Sequence, residues 1–439
     1  MTKPNILYIH SHDTGRYIQP YGHAIPSPNL QRLAEEGVLF RKCFCVGPTC
    51  SPSRAGLLTG QYPHQNGMLG LAHRGFRMHD YGKHLVHALR HGGYKSYLSG
   101  LQHIHEDAEK IGYDEVISDD INDPQVAAVD FLEQRQEGPW FLSVGFALCH
   151  RGFEKAGPAE DPRYTLMPAP LPDSAHARED MADFKASVRA WDNRIGDVLG
   201  ALDRSGQADS TLVICTTDHG IAFPGMKCTL TDHGIGVLLI MRAPREFSGG
   251  TVIDGMVSHL DVYPTLCELA GVDKPAWLEG FSMLSLLRGE KNEIRDEVHA
   301  EINYHAAYEP ARCVRTQRYK YIRYFDNRSK PVLVNVAGGP SKEERAEAGW
   351  NHREPESEGL YDLLFDPNEA HNLAGNPEYV DVLADMRTRL RHWMESTDDE
   401  LLSGRIPAPP EAMLNSVDEE RLPGELHTAS ELGLSLIHA

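Results

Sequence analysis

Cysteine is scarce in this 439-residue chain: there are eight, at positions 43, 45, 50, 149, 215, 228, 267 and 313. No two of them are spaced as C-x-x-C, which excludes the common zinc-ribbon and thioredoxin patterns, and they lack the density of a disulfide scaffold. No apolar run approaches the length of a membrane span, so none is expected. Positive charge is also short, with 43 Lys and Arg against 63 Asp and Glu, a formal charge of −20. A surface of that sign argues against nucleic acid as a partner and does nothing to attract polyanions. An anionic substrate must therefore meet a local cluster of His, Arg, Lys and metal. Only Met-Thr-Lys-Pro precedes the apolar run Asn5–Ile9. With neither a basic region nor a cleavage site there, the expectation is no signal peptide and a cytoplasmic enzyme.

What is present is an ordinary globular composition, 41% hydrophobic and 24% charged, with 23 histidines, many beside Asp or Gly. The length suits about three average domains, or one large α/β domain with a smaller partner. Apolar runs at 5–10, 38–44, 94–98, 140–148, 211–216 and 237–241 read as buried strands. Helical patterns lie between them, at 28–37, 80–92, 123–136, 179–202 and 261–270. This alternation predicts an α/β domain over 1–297. Residues 154–177 are rich in proline without periodicity and read as an excursion near the rim of the site. Beyond about residue 298 the texture changes. Arg315–Phe325 and the Leu360–Pro367 stretch suggest an antiparallel unit over 298–403, closed by a helix at 380–394. The tail, 404–439, is expected either at an oligomer contact or loose.

The most informative stretch is Thr49-Cys50-Ser-Pro-Ser-Arg54-Ala-Gly-Leu-Leu-Thr59-Gly60. It reads as a turn feeding a helix. Cys50 stands in the first turn, where free N–H groups and the helix dipole favour an anion, and Gly60 forms the C-cap. A buried structural cysteine near a helix start is the plainer reading. The stretch also fills every fixed position of C-x-P-S-R-x-x-L-x-T-G, and here the chain resembles the type I, formylglycine-dependent sulfatases of the alkaline-phosphatase superfamily. The segments Pro63-His-Gln-Asn-Gly-Met68, Arg315-x-x-x-Tyr319-Lys-Tyr, Tyr361-Asp-Leu and Asp366-Pro extend the resemblance over most of the chain. They bring it nearest to the sulfamidase (N-sulfoglucosamine sulfohydrolase) type.

The resemblance implies an alkaline-phosphatase-like α/β fold, a large mixed sheet between helices with a small antiparallel sheet at its end. It implies hydrolysis of a sulfate ester or sulfamate of a small molecule or sugar. The nucleophile would be the hydrate of formylglycine (3-oxoalanine), made from Cys50 by a formylglycine-generating maturation enzyme. A sulfate monoester is a weak electrophile whose oxygens need a cationic frame. Asp13 and Asp218 each follow an apolar strand, where an Asp can equally serve as a helix cap. By resemblance they become metal ligands together with His219 and the oxidised Cys50.

The remaining roles are implied in the same way. Arg54 would hold the hydrate, His103 would manage its proton, and His150 and Lys227 would face the sulfate, with His150 placed to protonate the departing atom.

The chain also departs from the family pattern. His12 stands where many relatives have an acid. It is either a further ligand, which would shift the choice among Mn, Zn, Mg and Ca toward Mn-like ions, or a group lining the cleft. Leu101 replaces the lysine of the family's Gly-Lys-x-His motif, so His105 or another basic group must compensate. Ala147 takes the place of a frequent second histidine. Thr231-Asp-His-Gly234 repeats the letters of 217–220, but the first copy is preferred because a clear strand delivers it; His233 is left as a possible substrate contact. The histidine-rich loops 64–79 and 103–105 are expected to read the leaving group. The alternative reading is a formylglycine-dependent phosphodiesterase or phosphonate monoester hydrolase. Homo-oligomerisation remains open.

Overall fold

The computed structural model describes residues 3–243 and 247–435. Nine strands form one mixed sheet: β1 (Asn5–His10), β2 (Val38–Phe44), β3 (Lys95–Gly100), β4 (Glu115–Ser118), β5 (Trp140–Gly145), β6 (Thr211–Thr216), β7 (Gly236–Val237), β8 (Leu239–Arg242) and β9 (Thr251–Ser258). Their order is β4-β3-β5-β1-β6-β8-β2-β7, with β9 paired to β2. At the centre β3, β5, β1 and β6 run parallel. β8 is antiparallel to both β6 and β2, so β2 points the same way as β1 and β6. The chain therefore leaves β1, β2, β3, β5 and β6 at one edge of the sheet. In open α/β sheets this is where ligands gather.

The central strands β1, β5 and β6 are buried almost throughout because both faces are covered. Ile6 and Tyr8 of β1 join Phe141, Leu212 and Ile214 beneath α2 (Cys50–Thr59), against which the short α3 (Pro63–Asn66) packs, and α4 (Leu85–His91). Leu7 and Ile9 point the other way, as alternation in a strand requires. They meet Leu142, Val144 and Val213 beneath α1 (Pro28–Glu36), α5 (Gln125–Glu133) and the 30-residue α6 (Ala175–Arg204).

Several boundaries differ from expectation. The helix read at 80–92 is a 3-10 turn, Tyr81–Lys83, followed by α4, whose N-terminus His84 caps by accepting from the N–H of Val86. α6 begins earlier than expected because Ser174 caps it, accepting from the N–H of Ala177. β4 and β9 lie outside the strands that the apolar runs predict. β4 has only four residues, and half of β9 is largely solvent-facing, so neither carries a continuous apolar run.

A second, antiparallel sheet comprises β10 (Glu297–Tyr304), β11 (Tyr308–Thr316), β12 (Tyr319–Tyr324) and β13 (Glu358–Asp362) in that order. Ala300, Ile302 and Cys313 from it share a core with Leu57 of α2. The helix Val380–Ser396 covers its other side through Leu383, Met386, Leu390 and Trp393. The tail folds back onto its own chain: Ala408 N–H donates to the Leu434 carbonyl at 2.8 Å and Asn415 N–H to the Ala306 carbonyl at 2.8 Å.

Candidate active site

Each site segment begins where a central strand ends. His12 and Asp13 follow β1, His103 follows β3, His150 follows β5, and Asp218 and His219 follow β6. Cys50 is the first residue of α2, with Thr49 extended at the N-cap, and Gly60 closes that helix in the left-handed region at φ 68°. Among the described residues six non-glycines have positive φ. Asp13 and His103 are two of them, and Cys149 and Cys228 adjoin His150 and Lys227. Backbone strain of this kind is tolerated where surrounding structure dictates it, and here it clusters around the site.

His12, Asp13, Cys50, Asp218 and His219 each offer a ligand atom, all within 4.8 Å of one another and all buried. His12 thus joins the group itself. Its Nδ1 lies 2.7 Å from Asp13 Oδ1 and 3.2 Å from Asp218 Oδ2. His219 Nε2 lies 3.2 Å from Asp13 Oδ1 and 3.5 Å from Cys50 Sγ. The Nδ1 of His219 is 3.0 Å from the Gly220 carbonyl, which can only accept. The proton must sit on Nδ1, which leaves the Nε2 lone pair facing the cluster. Asp218 is fixed from its other side: its Oδ1 accepts the N–H groups of Asp13 at 2.8 Å and of His219 at 2.9 Å. Two carboxylates, two imidazoles and one sulfur at this spacing fit a divalent cation.

Two built-in cations border the group. Arg54 donates to Asp218 Oδ2 at 2.9 Å, to the Ser11 carbonyl and to His10 Nδ1 at 2.6 Å. Lys227 Nζ lies 2.8 Å from Asp13 Oδ2. Charge overrides burial here. Burial opposes ionisation of Cys50, yet Lys227 and His12 first, and then His103 beside them, hold its thiol well below the usual range. Burial likewise disfavours the His12 imidazolium, but Asp218, Cys50 and Asp13 push it up to about 10. For Asp218, burial is outweighed by His12, His219 and Arg54, and its pKa falls to about 2.

His150 is exposed, with its ring centroid 4.6 Å from that of His12. Its Nδ1 faces the Arg151 carbonyl at 3.1 Å and so carries the proton, leaving Nε2 for exchange. Although the side chain reaches solvent, loss of water where the ring packs against His12, and then Lys227, lowers its pKa, which favours the neutral ring.

Other expected contacts fall elsewhere. His105 Nδ1 accepts the Asp107 N–H at 2.8 Å and its Nε2 lies against Arg77 Nη1 at 3.0 Å, so neither ring nitrogen is left to replace the missing lysine. His233 is hydrogen-bonded to the Tyr17 hydroxyl at 2.8 Å, and Asp232 pairs with Lys320 and Arg315.

Three histidines were not singled out from sequence. His10 supports Arg54. His73 meets His103 at 2.9 Å. His305, at the β10–β11 turn, is buried with Nδ1 unpartnered, and its surroundings include Lys227, Cys50 and His219. His73 lies in the histidine-rich loop 64–79, but no local motif ties it to His103, and none marks His305. For His10 the one available hint was its place just before the polar end of β1.

Comparison with known proteins agrees with this geometry. The Sulfatase family model matches residues 4–272, and a second model, N-sulphoglucosamine sulphohydrolase C-terminal, matches 226–346. An ulvan-active sulfatase of Formosa agariphila is 29% identical over 424 residues, covering 93% of this chain and 83% of that protein. The human N-sulphoglucosamine sulphohydrolase is 28% identical over 460 residues, covering 90% of each. In fold, the phosphonate monoester hydrolase of Agrobacterium radiobacter is similar at a TM-score of 0.67 and 20% identity, covering 91% of this chain and 97% of that one.

The expectation of a cytoplasmic enzyme is overturned, because sulfatases of this kind are secreted, periplasmic or lysosomal. That expectation rested on the few residues before β1, and where a sequence starts does not fix a compartment. Among the described residues no helix is long and apolar enough to cross a membrane. With a family model spanning more than half its length and the maturation signature intact at the head of α2, the chain belongs to the sulfatase family, on its sulfamidase-like branch, and is a sulfatase-type hydrolase.

Proposed function

We propose that this enzyme releases sulfate from a sulfated saccharide or small molecule, with an N-sulfated sugar as the favoured class, using the formylglycine hydrate derived from Cys50 as nucleophile. The observation that carries the proposal is the position of Cys50: in a complete maturation signature, at a helix start, against two carboxylates and two imidazoles. The match of residues 226–346 to the N-sulphoglucosamine sulphohydrolase model supports the N-sulfate. Cys50 is buried, so the formylglycine-generating enzyme must act before the chain folds.

A divalent ion held by His12, Asp13, Asp218, His219 and residue 50 would draw charge from the sulfate oxygens. Two imidazoles beside two carboxylates make a softer set than the all-oxygen cage that suits Ca²⁺, so a Mn²⁺-like ion is favoured, ahead of Zn²⁺ and Mg²⁺. Arg54 orients the hydrate, and Lys227 offsets sulfate charge. His103 exchanges a proton with residue 50. His150 gives the proton on Nε2 to the departing atom once its ring is charged. A departing amine needs that proton, whereas an aryl oxide leaves almost unaided.

The second reading is a formylglycine-dependent phosphodiesterase or phosphonate monoester hydrolase, favoured by the fold likeness to the Agrobacterium enzyme. The deciding experiment is kcat/KM for glucosamine N-sulfate, 4-nitrophenyl sulfate and 4-nitrophenyl phenylphosphonate, with wild type and His150→Ala. The expected wild-type preference is for sulfur substrates. The variant should lose about 100-fold or more on the N-sulfate and far less on the aryl sulfate. A preference for the phosphonate would move the enzyme to the second reading. Equal losses on both sulfates would remove His150 from the acid role.

A further inference from the structure

His103 is held in an unusual way. Its backbone is left-handed, at φ 58°, and its ring lies nearly parallel to that of His73, with centroids 5.2 Å apart and 9° between the planes. Its Nε2 is 2.9 Å from His73 Nδ1. His103 is also close enough to Cys50 to help lower the pKa of its thiol. With Nε2 committed to His73, Nδ1 is the nitrogen left for residue 50, and it is buried with no hydrogen-bond partner.

His73 is exposed, but the turn that carries it, Ala72–Arg74, is pinned on both sides. Ala72 N–H donates to Ser51 Oγ at 3.0 Å, directly beside Cys50. Arg74 donates to the Ala306 and Met413 carbonyls and to Asn415 Oδ1. These contacts tie the turn to α2, to the second sheet and to the folded-back tail. Leu101 offers no polar group, and His105 is occupied by Arg77 and Asp107. His73 is the side chain that the fold brings to His103 in their place.

A neutral imidazole carries one ring proton, and which nitrogen holds it is set by the bond the other nitrogen makes. To take a proton from a group at residue 50, His103 must present a bare Nδ1, so its proton must sit on Nε2 and needs an acceptor there. We propose that His73 is a positioning residue for the reaction: its Nδ1 accepts the Nε2–H of His103 and so holds the tautomer whose Nδ1 lone pair faces residue 50. The proton of His73 then lies on its own Nε2. Partial burial and the neighbouring His103 bring the pKa of His73 down to about 4, so the ring is neutral and able to accept near pH 7. In a Ser-His-Asp arrangement a carboxylate orients the histidine. A neutral imidazole does the same without adding negative charge near an anionic substrate.

The task given to His103 rests on the sulfatase reading, but its tautomer can be observed without turnover. Two variants separate acceptor from packing: His73→Gln keeps an oxygen able to accept, and His73→Phe keeps a stacking ring without an acceptor. In ¹⁵N-histidine-labelled Cys50→Ser protein, where a hydroxyl stands at residue 50, long-range ¹⁵N–¹H spectra should show His103 protonated on Nε2. The same should hold with His73→Gln and be lost with His73→Phe. In the matured enzyme His73→Phe should lower kcat about 10- to 100-fold with little change in KM, and His73→Gln should recover most of it. An Nδ1-protonated His103 with His73 intact would overturn the proposal. So would a His73→Phe variant with unchanged tautomer and kcat. If wild type turns over no sulfate or sulfamate, the functional reading fails, and the tautomer spectra still decide the role of His73.

Discussion

The tetrapeptide Thr-Asp-His-Gly occurs twice, at 217–220 and 231–234, and the two copies do different work. The first follows β6 and places Asp218 and His219 among His12, Asp13 and Cys50. The second meets the antiparallel sheet: Asp232 Oδ1 lies 2.6 Å from Lys320 Nζ, and its Oδ2 lies 3.1 Å from Arg315 Nη2. Glu369 closes that group, bonding Lys320 at 3.2 Å and the Asp232 N–H at 2.5 Å. In both copies burial opposes the carboxylate and neighbouring positive charge overrides it, so both pKa values fall. The difference lies in what supplies the charge. Asp232 is matched by fixed side chains on another sheet, which makes a clamp. Asp218 and Asp13 have Arg54 and Lys227 on the outside and a cluster of ligand atoms inside, which makes a seat for an ion.

The largest effect should separate the two aspartates. Asp218→Asn is expected to lower kcat on the order of a thousandfold and to reduce bound metal, even in protein whose fold survives the weakened pairing of Arg54. Asp232→Asn should keep activity within about threefold but cost roughly 3 kcal/mol of stability, since it leaves Lys320 and Arg315 underpaired. Metal analysis, kinetics and thermal melts on both variants check this. If Asp232→Asn lost activity while keeping its stability, the clamp would be part of the site after all.

The two histidines repeat the contrast on a smaller scale. His219→Ala should weaken metal binding about 10- to 100-fold by removing a donor held in place by its bond to the Gly220 carbonyl. His233→Ala removes one bond to Tyr17, costs about 1 kcal/mol and leaves metal affinity unchanged. Chelator titrations followed by metal add-back measure both.

A smaller effect, confined to the clamp, concerns pH. Burial raises Glu369, against the pull of Lys320, from the ordinary 4.5 to about 7. A group with a raised folded-state pKa contributes stability that is complete below its unfolded pKa and is lost as pH rises through the folded value. Stability owed to Glu369 should therefore decline between about pH 4.5 and 7. Glu369→Gln should flatten that part of a melting-temperature profile. A profile of unchanged slope would mean that Glu369 is ionised throughout.

The parts of this architecture legible in the sequence were those dictated locally. The central strands are buried on both faces, so their apolar runs stand out, and the Cys50 helix is written into twelve consecutive residues. The same holds for Asp13, Asp218 and His219, each just past a strand end. β9 escaped because half of it faces solvent, and the 80–92 segment divided because His84 caps a new helix inside an otherwise helical pattern. His305 reaches the site through packing across many residues of chain, and nothing in its neighbours announces it; His10 and His73 lie in segments already marked, but their partners Arg54 and His103 are set by the fold. His105 was a reasonable substitute for the missing lysine by position, but Arg77 had already claimed it. The repeat at 231–234 could be set aside only because no clear strand precedes it; that Lys320 and Arg315 receive it depends on the pairing of β11 with β12.

The central claim is that the side chain at position 50 is the nucleophile, as formylglycine. Its most direct test is peptide mass spectrometry on enzyme made with and without a formylglycine-generating system, with specific activity measured on the same samples. The expected result is a loss of about 18 Da at Cys50, as SH gives way to an aldehyde, in proportion to the activity across preparations. A fully active preparation whose Cys50 is wholly unmodified thiol would contradict it.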